Sequence, residues 1–294
     1  MPVNHDRLPR QGLFLLAALS LFWGINWPIM KMVLSEIPPL YFRASCLLLG
    51  GAGLLAICRA GGNNIAVPLG QWKSLMSLSL FNIIGWNVPA VYGVMLLPSG
   101  RAALLGYTMP LWSSLLSVWI LGEKITSRRL VALLLGLAGI VALMGGSLQG
   151  MLQAPLGVAC MILAAWCWAL GVVLLKRLPI AMPTTALTGW MMLLGGVPLL
   201  FIAIPLESSR LVVPSFWPAF GLVYNVFIAF MFCYWAWNRI VLMVPVTVSS
   251  LSSLVTPLIG VAGGILMLGE TLGWQEILAA LLILAAVGTV SLKR

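Results

Sequence analysis

Acidic residues are nearly missing from this chain: six stand among 294 residues, against sixteen Lys and Arg, and charge of both signs reaches only 7%. An average soluble domain is about 25% charged. Hydrophobic residues make up 62%, more than a soluble fold of this size can hide from water. Histidine is reduced to His5, near the start of the chain, which leaves no imidazole metal site. The five cysteines (Cys46, Cys58, Cys160, Cys167 and Cys233) fall in or beside apolar runs with no CxxC spacing, so they read as small packing residues. No P-loop signature occurs, so this chain supplies no ATP hydrolysis. The basic residues are scattered singly or in pairs, unlike a nucleic-acid footprint. These absences exclude a soluble enzyme, a disordered chain and a nucleic-acid binder, and they predict no cofactor and no metal.

What remains is long apolar runs. A helix needs about 20 apolar residues to cross a bilayer. Ten runs qualify: 12–34, 39–58, 73–97, 101–121, 129–147, 153–175, 183–205, 215–238, 245–268 and 274–292. Turn chemistry separates them, as at Pro38-Pro39, Gly61-Gly62-Asn63-Asn64 and Pro98-Ser99-Gly100. The first run is too long for a signal-peptide core and continues through Trp23, Trp27 and Pro28, so it is read as an uncleaved span. With the N-terminus in the cytoplasm, twelve basic residues fall inside. Lys31, Arg43, Arg101 and Arg210 fall outside. The positive-inside rule thus predicts both termini in the cytoplasm.

The chain also resembles itself. Pro98, Pro110 and Glu123 recur as Pro245, Pro257 and Glu270 at one offset of 147, and Trp23 and Lys31 recur as Trp168 and Lys176 at 145. The division falls into 1–148 and 149–294, five spans each. Five is odd, so the second copy enters the membrane inverted. Inverted repeats are an architecture of secondary transporters, with the substrate site near the midplane between the halves. The predicted fold is all-α integral membrane, ten transmembrane helices in two inverted five-helix repeats.

Tyr234-Trp235-Ala236-Trp237-Asn238-Arg239 through Pro257 to Leu268-Gly269-Glu270, then 279–288, resembles the second repeat of the drug/metabolite transporter superfamily, the ten-helix type with two EamA repeats. Pro39-Leu40-Tyr41-Phe42-Arg43-Ala44 is similar to that family's second-span entrance. The resemblance covers essentially the whole chain. Thr256 departs from it, because the family often has an acidic residue there. The Trp-rich composition looks most like the aromatic-amino-acid exporters. The resemblance implies that spans one, three, four, six, eight and nine wall a central cavity, and that the membrane is a bacterial inner membrane.

Candidate cavity residues come from helical stripes. In span one, Trp23, Asn26, Trp27 and Met30 cluster. Asn82, Trp86 and Pro89 share a face in span three, and Tyr224, Met231 and Trp235 share one in span eight. Ser249, Ser252, Ser253, Thr256 and Gly260 form a small polar stripe in span nine, with Gly106, Met109 and Ser113 beside Tyr107 in span four. Trp166 and Trp168 lie two apart, so at most one faces a cavity. The expected substrate-binding set is Trp23, Asn26, Asn82, Trp86, Tyr107, Trp168, Tyr224, Trp235, Ser253 and Thr256. Pro110 and Pro257, at equivalent positions, are expected hinges, with a fixed kink as the competing reading. Glu123 and Glu270 read as caps of the next helix.

No carboxylate falls inside a span, which predicts weak or no proton coupling. Lys31, Arg43, Arg101, Lys176 and Arg239 are placed near interfaces, where long side chains snorkel, with Arg43 as a guard of the outer mouth the weaker reading. Asn82, Asn87 and Asn225 are costly in lipid, so they are expected to face protein or water. An uncharged cavity wall then suits neutral, zwitterionic or cationic cargo. The expected function is export of small metabolites, aromatic or amphipathic amino acids, by alternating access, with small-molecule substrate and lipid as partners and a monomer or weak homodimer as the state. Purines or cationic drugs are the alternative cargo. A membrane enzyme would need a catalytic cluster that the chain lacks, and flux into vesicles separates a transporter from a scaffold.

Overall fold

In the computed structural model, residues 10–122, 154–178, 180–243, 256–271 and 273–291 are described, with a few single positions between 127 and 142. Every described element is helical. Seven helical stretches are long and apolar enough to cross a bilayer, and two shorter apolar helices, Ile259–Leu268 and Ile277–Ala286, belong to spans nine and ten. The expected fifth span lies mostly outside the described residues.

The first span is Arg10–Val33, with Pro28 inside it. The second, Pro39–Ala60, starts on a proline, tolerated there because a first-turn N–H has no helical partner anyway. Span three is Trp72–Leu78, a wide π-helical stretch Ser79–Ile84, and Gly85–Leu96. Span six is Pro155–Arg177 and span seven Thr184–Glu207. Span eight repeats the plan of span three: Phe216–Tyr224, a π-helical stretch Asn225–Phe232, then Cys233–Met243. The two wide stretches occupy equivalent positions in the two copies. In a wide turn an N–H reaches the fifth carbonyl back, so a carbonyl loses its usual donor. Asn side chains also bond carbonyls one turn back beside these stretches: Asn87 Nδ2 donates to Ile83 O (3.0 Å) and Asn225 Nδ2 to Gly221 O (2.9 Å).

Span four is two helices, Ser99–Gly106 and Met109–Leu121, broken at Tyr107-Thr108. Pro110 sits in the first turn of the second helix, so the backbone there is a helix start, not a proline inside a continuous span. Thr108 donates to Leu105 O (2.7 Å) and accepts Trp112 Nε1 (3.2 Å), which satisfies groups freed by the break. Pro257 lies in Thr256–Leu268, and the residues that precede this helix are outside the described ones. Both of these helices end on a glycine with positive φ, Gly122 (70°) and Gly269 (65°), a backbone that costs a side-chain-bearing residue energy.

Spans two and seven pack on each other along their length, Gly51 and Gly189 bringing the backbones together. The outer surface is apolar, with Leu49, Ile57, Met76, Phe201 and Phe227 all exposed, as a lipid-facing surface requires. Trp72, Trp217 and Trp274, at span ends, are exposed as well.

Candidate transport site

At the centre, six spans converge on one cavity. Trp23, Asn26, Trp27 and Met30 come from span one, Arg43 from span two, Trp86, Asn87 and Ala90 from span three, Tyr107 and Met109 from span four, Trp168 from span six, and Ala229, Phe230 and Tyr234 from span eight. Its volume is about 50 Å³, room for a few water molecules. Aromatic rings take up the rest. Trp23 meets Trp168 edge-on at 5.7 Å and Tyr234 at 5.7 Å, and Trp86 lies 5.1 Å from Trp168. These are ordinary separations for paired aromatic rings.

The two copies meet here through equivalent residues. Trp23 and Trp168, in ring contact, are repeat mates. Asn87 Nδ2 donates to Tyr234 Oη at 2.9 Å across 147 residues of sequence, the same spacing that relates the two copies. Residues related by a two-fold operation can touch only where the axis passes, so the cavity lies on the seam between the repeats.

Electrostatics set the cavity apart. Arg43 is 2% exposed. Its guanidinium lies 4.9 Å from the Phe42 ring centroid and 5.6 Å from that of Phe230, and Nη2 points at the Met30 thioether, a weak acceptor. Nε has no partner among the described residues. This corrects the expectation that Arg43 snorkels at an interface and that the wall is uncharged. Depth along a span does not tell which side of the helix meets lipid. Arg43 lies one turn into its helix, on the face packed against spans one and eight.

Of the expected site residues, Trp23, Asn26, Trp86, Tyr107 and Trp168 line the cavity. Trp168 is buried while Trp166 is exposed. Thr256 stands behind the wall, where the Tyr107 hydroxyl shares hydrogen bonds with it and with Trp27. Three others are elsewhere. Asn82 packs on Gly171 of span six. Tyr224 donates its hydroxyl to Phe22 O (2.8 Å). Trp235 lies against Phe232 and under the Arg239 guanidinium. Picking the face of span eight by polar and aromatic content selected a half-buried side. The buried face carries Ala229 and Cys233, whose small side chains admit close packing, and brings Tyr234 inward. Ser253 lies outside the described residues, as does Glu123. Phe230 and Tyr234 were not expected to line the site; Asn87 was expected only to face protein or water, and Arg43 to sit at an interface or guard the outer mouth. One signal pointed at Asn87 and Tyr234: they stand at the repeat offset.

Around this core, carboxylates fasten helix starts. Glu270 reaches beyond its own neighbourhood into the first copy, accepting from Ser99 N (2.7 Å), Ser99 Oγ (3.0 Å) and Gly100 N (3.2 Å). Lys31 Nζ donates to Leu97 O beside it. Glu207 accepts from Leu40 N (2.9 Å) and Tyr41 N (3.1 Å), and Glu36 from Ser215 N (2.6 Å) and Oγ (2.7 Å). Each of these carboxylate bonds joins one copy to the other. All three sit at connections from an odd span to the next even one, which crossing parity places on a single face.

Known proteins agree with this architecture. The model of the EamA-like transporter family matches twice, over residues 10–145 and 155–292. The chain is 26% identical over 267 residues to the Bacillus subtilis protein named "Uncharacterized transporter YoaV", covering 90% of this chain and 91% of that one. It is 24% identical over 294 residues to a Salmonella typhimurium "Probable amino-acid metabolite efflux pump", covering 95% and 94%. An Escherichia coli protein of that same name is 25% identical over 276 residues, covering 89% and 88%. One crystal structure superposes with a TM-score of 0.74 at 20% identity, over 96% of this chain and 97% of that one, which shows the fold. The twice-matched family model, the apolar spans and the cavity at the seam together establish the chain as a multi-pass membrane protein that belongs to the EamA-like transporter family.

Proposed function

We propose that this protein exports small amphipathic metabolites, of the aromatic amino-acid kind, by alternating access. The membrane is a bacterial inner membrane, with both termini cytoplasmic. One observation carries this reading: a ring-lined cavity on the seam of two repeats, where equivalent residues touch. A site on that axis can open to either face when the halves exchange conformations. The wall of indole, phenol and amide groups suits a cargo with an aromatic body and a polar end. The names of the Salmonella and Escherichia relatives point the same way. Because the present cavity holds only a few waters, the rings must part before a solute enters.

No carboxylate lines the cavity among the described residues. The cargo's own gradient therefore drives flux, with little or no proton coupling. The test is a screen in proteoliposomes loaded with amino acids, purines or quaternary amines. Efflux of aromatic amino acids that ignores an imposed pH gradient is the expected result. Efflux driven by a pH gradient alone, or confined to quaternary amines, would defeat it.

A further inference from the structure

Four buried polar atoms in the cavity wall have no protein partner among the described residues. They are Arg43 Nε, Trp168 Nε1, Asn26 Oδ1 and Asn87 Oδ1. Their residues are 2%, 2%, 7% and 1% exposed, so bulk water does not serve them. A buried polar group without a partner is costly, and a buried cation without an anion more so. No carboxylate among the described residues supplies that anion. Glu207, which caps the start of the same helix, already takes the N–H groups of Leu40 and Tyr41. Arg43 is left with two phenyl rings and a thioether. Such a set has a complement: two donors, one of them charged, call for an anionic acceptor, and two amide carbonyls call for a cationic donor.

Resting on the transport reading above, we propose that Arg43 is the carboxylate anchor of the site. The free carbonyls of Asn26 and Asn87 receive the ammonium of the same cargo. Trp168 Nε1 supplies a second bond to its acidic end. The site therefore selects a zwitterion with an apolar body over its neutral or cationic analogues. The guanidinium is a selectivity element and not a structural one. A structural ion would carry its own partner, as Glu36, Glu207 and Glu270 do. Cationic drugs, which met no objection from an uncharged wall, are disfavoured by this buried charge.

The experiment compares four probes in proteoliposomes of the full chain: phenylalanine, its methyl ester, phenethylamine and 3-phenylpropionate. Wild-type protein should move phenylalanine at least about ten-fold faster than the ester or the amine, the loss expected for one charge-assisted contact. Phenylpropionate should fall between. Arg43→Gln should abolish the preference for phenylalanine over its ester, and Arg43→Lys should restore part of it. In detergent, Arg43→Leu should melt at or above the wild-type temperature, because it removes a buried unpaired charge. Asn87→Leu should lose the preference for phenylalanine over phenylpropionate. Equal wild-type rates for phenylalanine and its ester would overturn the assignment and leave transport standing. So would a folded Arg43→Gln variant with unchanged selectivity, or an Arg43→Leu variant that no longer folds. If none of the four probes moves, the transport reading itself falls.

Discussion

The centre of the seam and its rim are built on opposite rules. At the rim, carboxylates are hydrogen-bonded by protein: the two oxygens of Glu270 take three hydrogen bonds, and Glu36 and Glu207 take two each. At the centre, the Nε of a guanidinium, an indole N–H and two amide carbonyls have no protein partner among the described residues. Unpartnered atoms also occur outside the cavity, at Asn82, Asn225, Trp237 and Asn238, but only in its wall do a cationic donor and amide acceptors stand together. The contacts also differ in symmetry. Trp23/Trp168 and Asn87/Tyr234 join repeat mates. Glu270 and Ser99 are not mates, and neither are Glu207 and Leu40 or Glu36 and Ser215.

Removing a rim carboxylate gives the sharpest test. Glu270→Ala strands three donors and Glu207→Ala two, so each should cost about 2–3 kcal/mol of stability, read by unfolding in SDS. A rim variant that costs nothing, or an Arg43→Leu variant that costs as much, would erase the distinction.

The two mates Trp23 and Trp168 offer a smaller, internally controlled comparison. Trp23 Nε1 donates to Ala229 O at 3.1 Å, whereas Trp168 Nε1 is unpaired. The same substitution at each site removes the same volume. Trp23→Phe should therefore be the less stable variant, by about 1 kcal/mol, while Trp168→Phe should lose more transport than stability. Equal stabilities, or the reverse order, would show that the wall's unpaired donor is met in some other way.

Glu36 gives the smallest effect. The Ser215 hydroxyl, and then the Ser215 N–H, hold its carboxyl below the ordinary 4.5. The folded value is the lower one, so this cap contributes fully above pH 4.5 and is lost as pH falls through the folded value. Melting temperature should decline on acidification, and Glu36→Gln should flatten that acid limb. An unchanged limb would mean that the bond is too exposed to count.

Much of the fold could be read before any coordinates. A carbonyl or N–H in hydrocarbon must find its partner within its own helix, so apolar runs bounded by Pro and Gly become spans. The run at 73–97 became Trp72–Leu96 for that reason, and Leu121-Gly122 and Leu268-Gly269 end their helices alike because only glycine takes that backbone cheaply. Half of the site was legible too, since indoles and amides inside a span must turn toward protein. Glu270 was read as a cap, which it is, though of a helix 171 residues away.

Composition and periodicity alone determined the medium this chain dissolves in, its helical class and its duplication. All three follow from local rules that hold whatever the neighbouring helices do. Only tertiary structure decided that Arg43 turns inward, that Tyr234 rather than Trp235 reaches the cavity, and that Asn87 meets its own counterpart. Those outcomes depend on helix rotation, and rotation is settled by which small residues let which backbones approach.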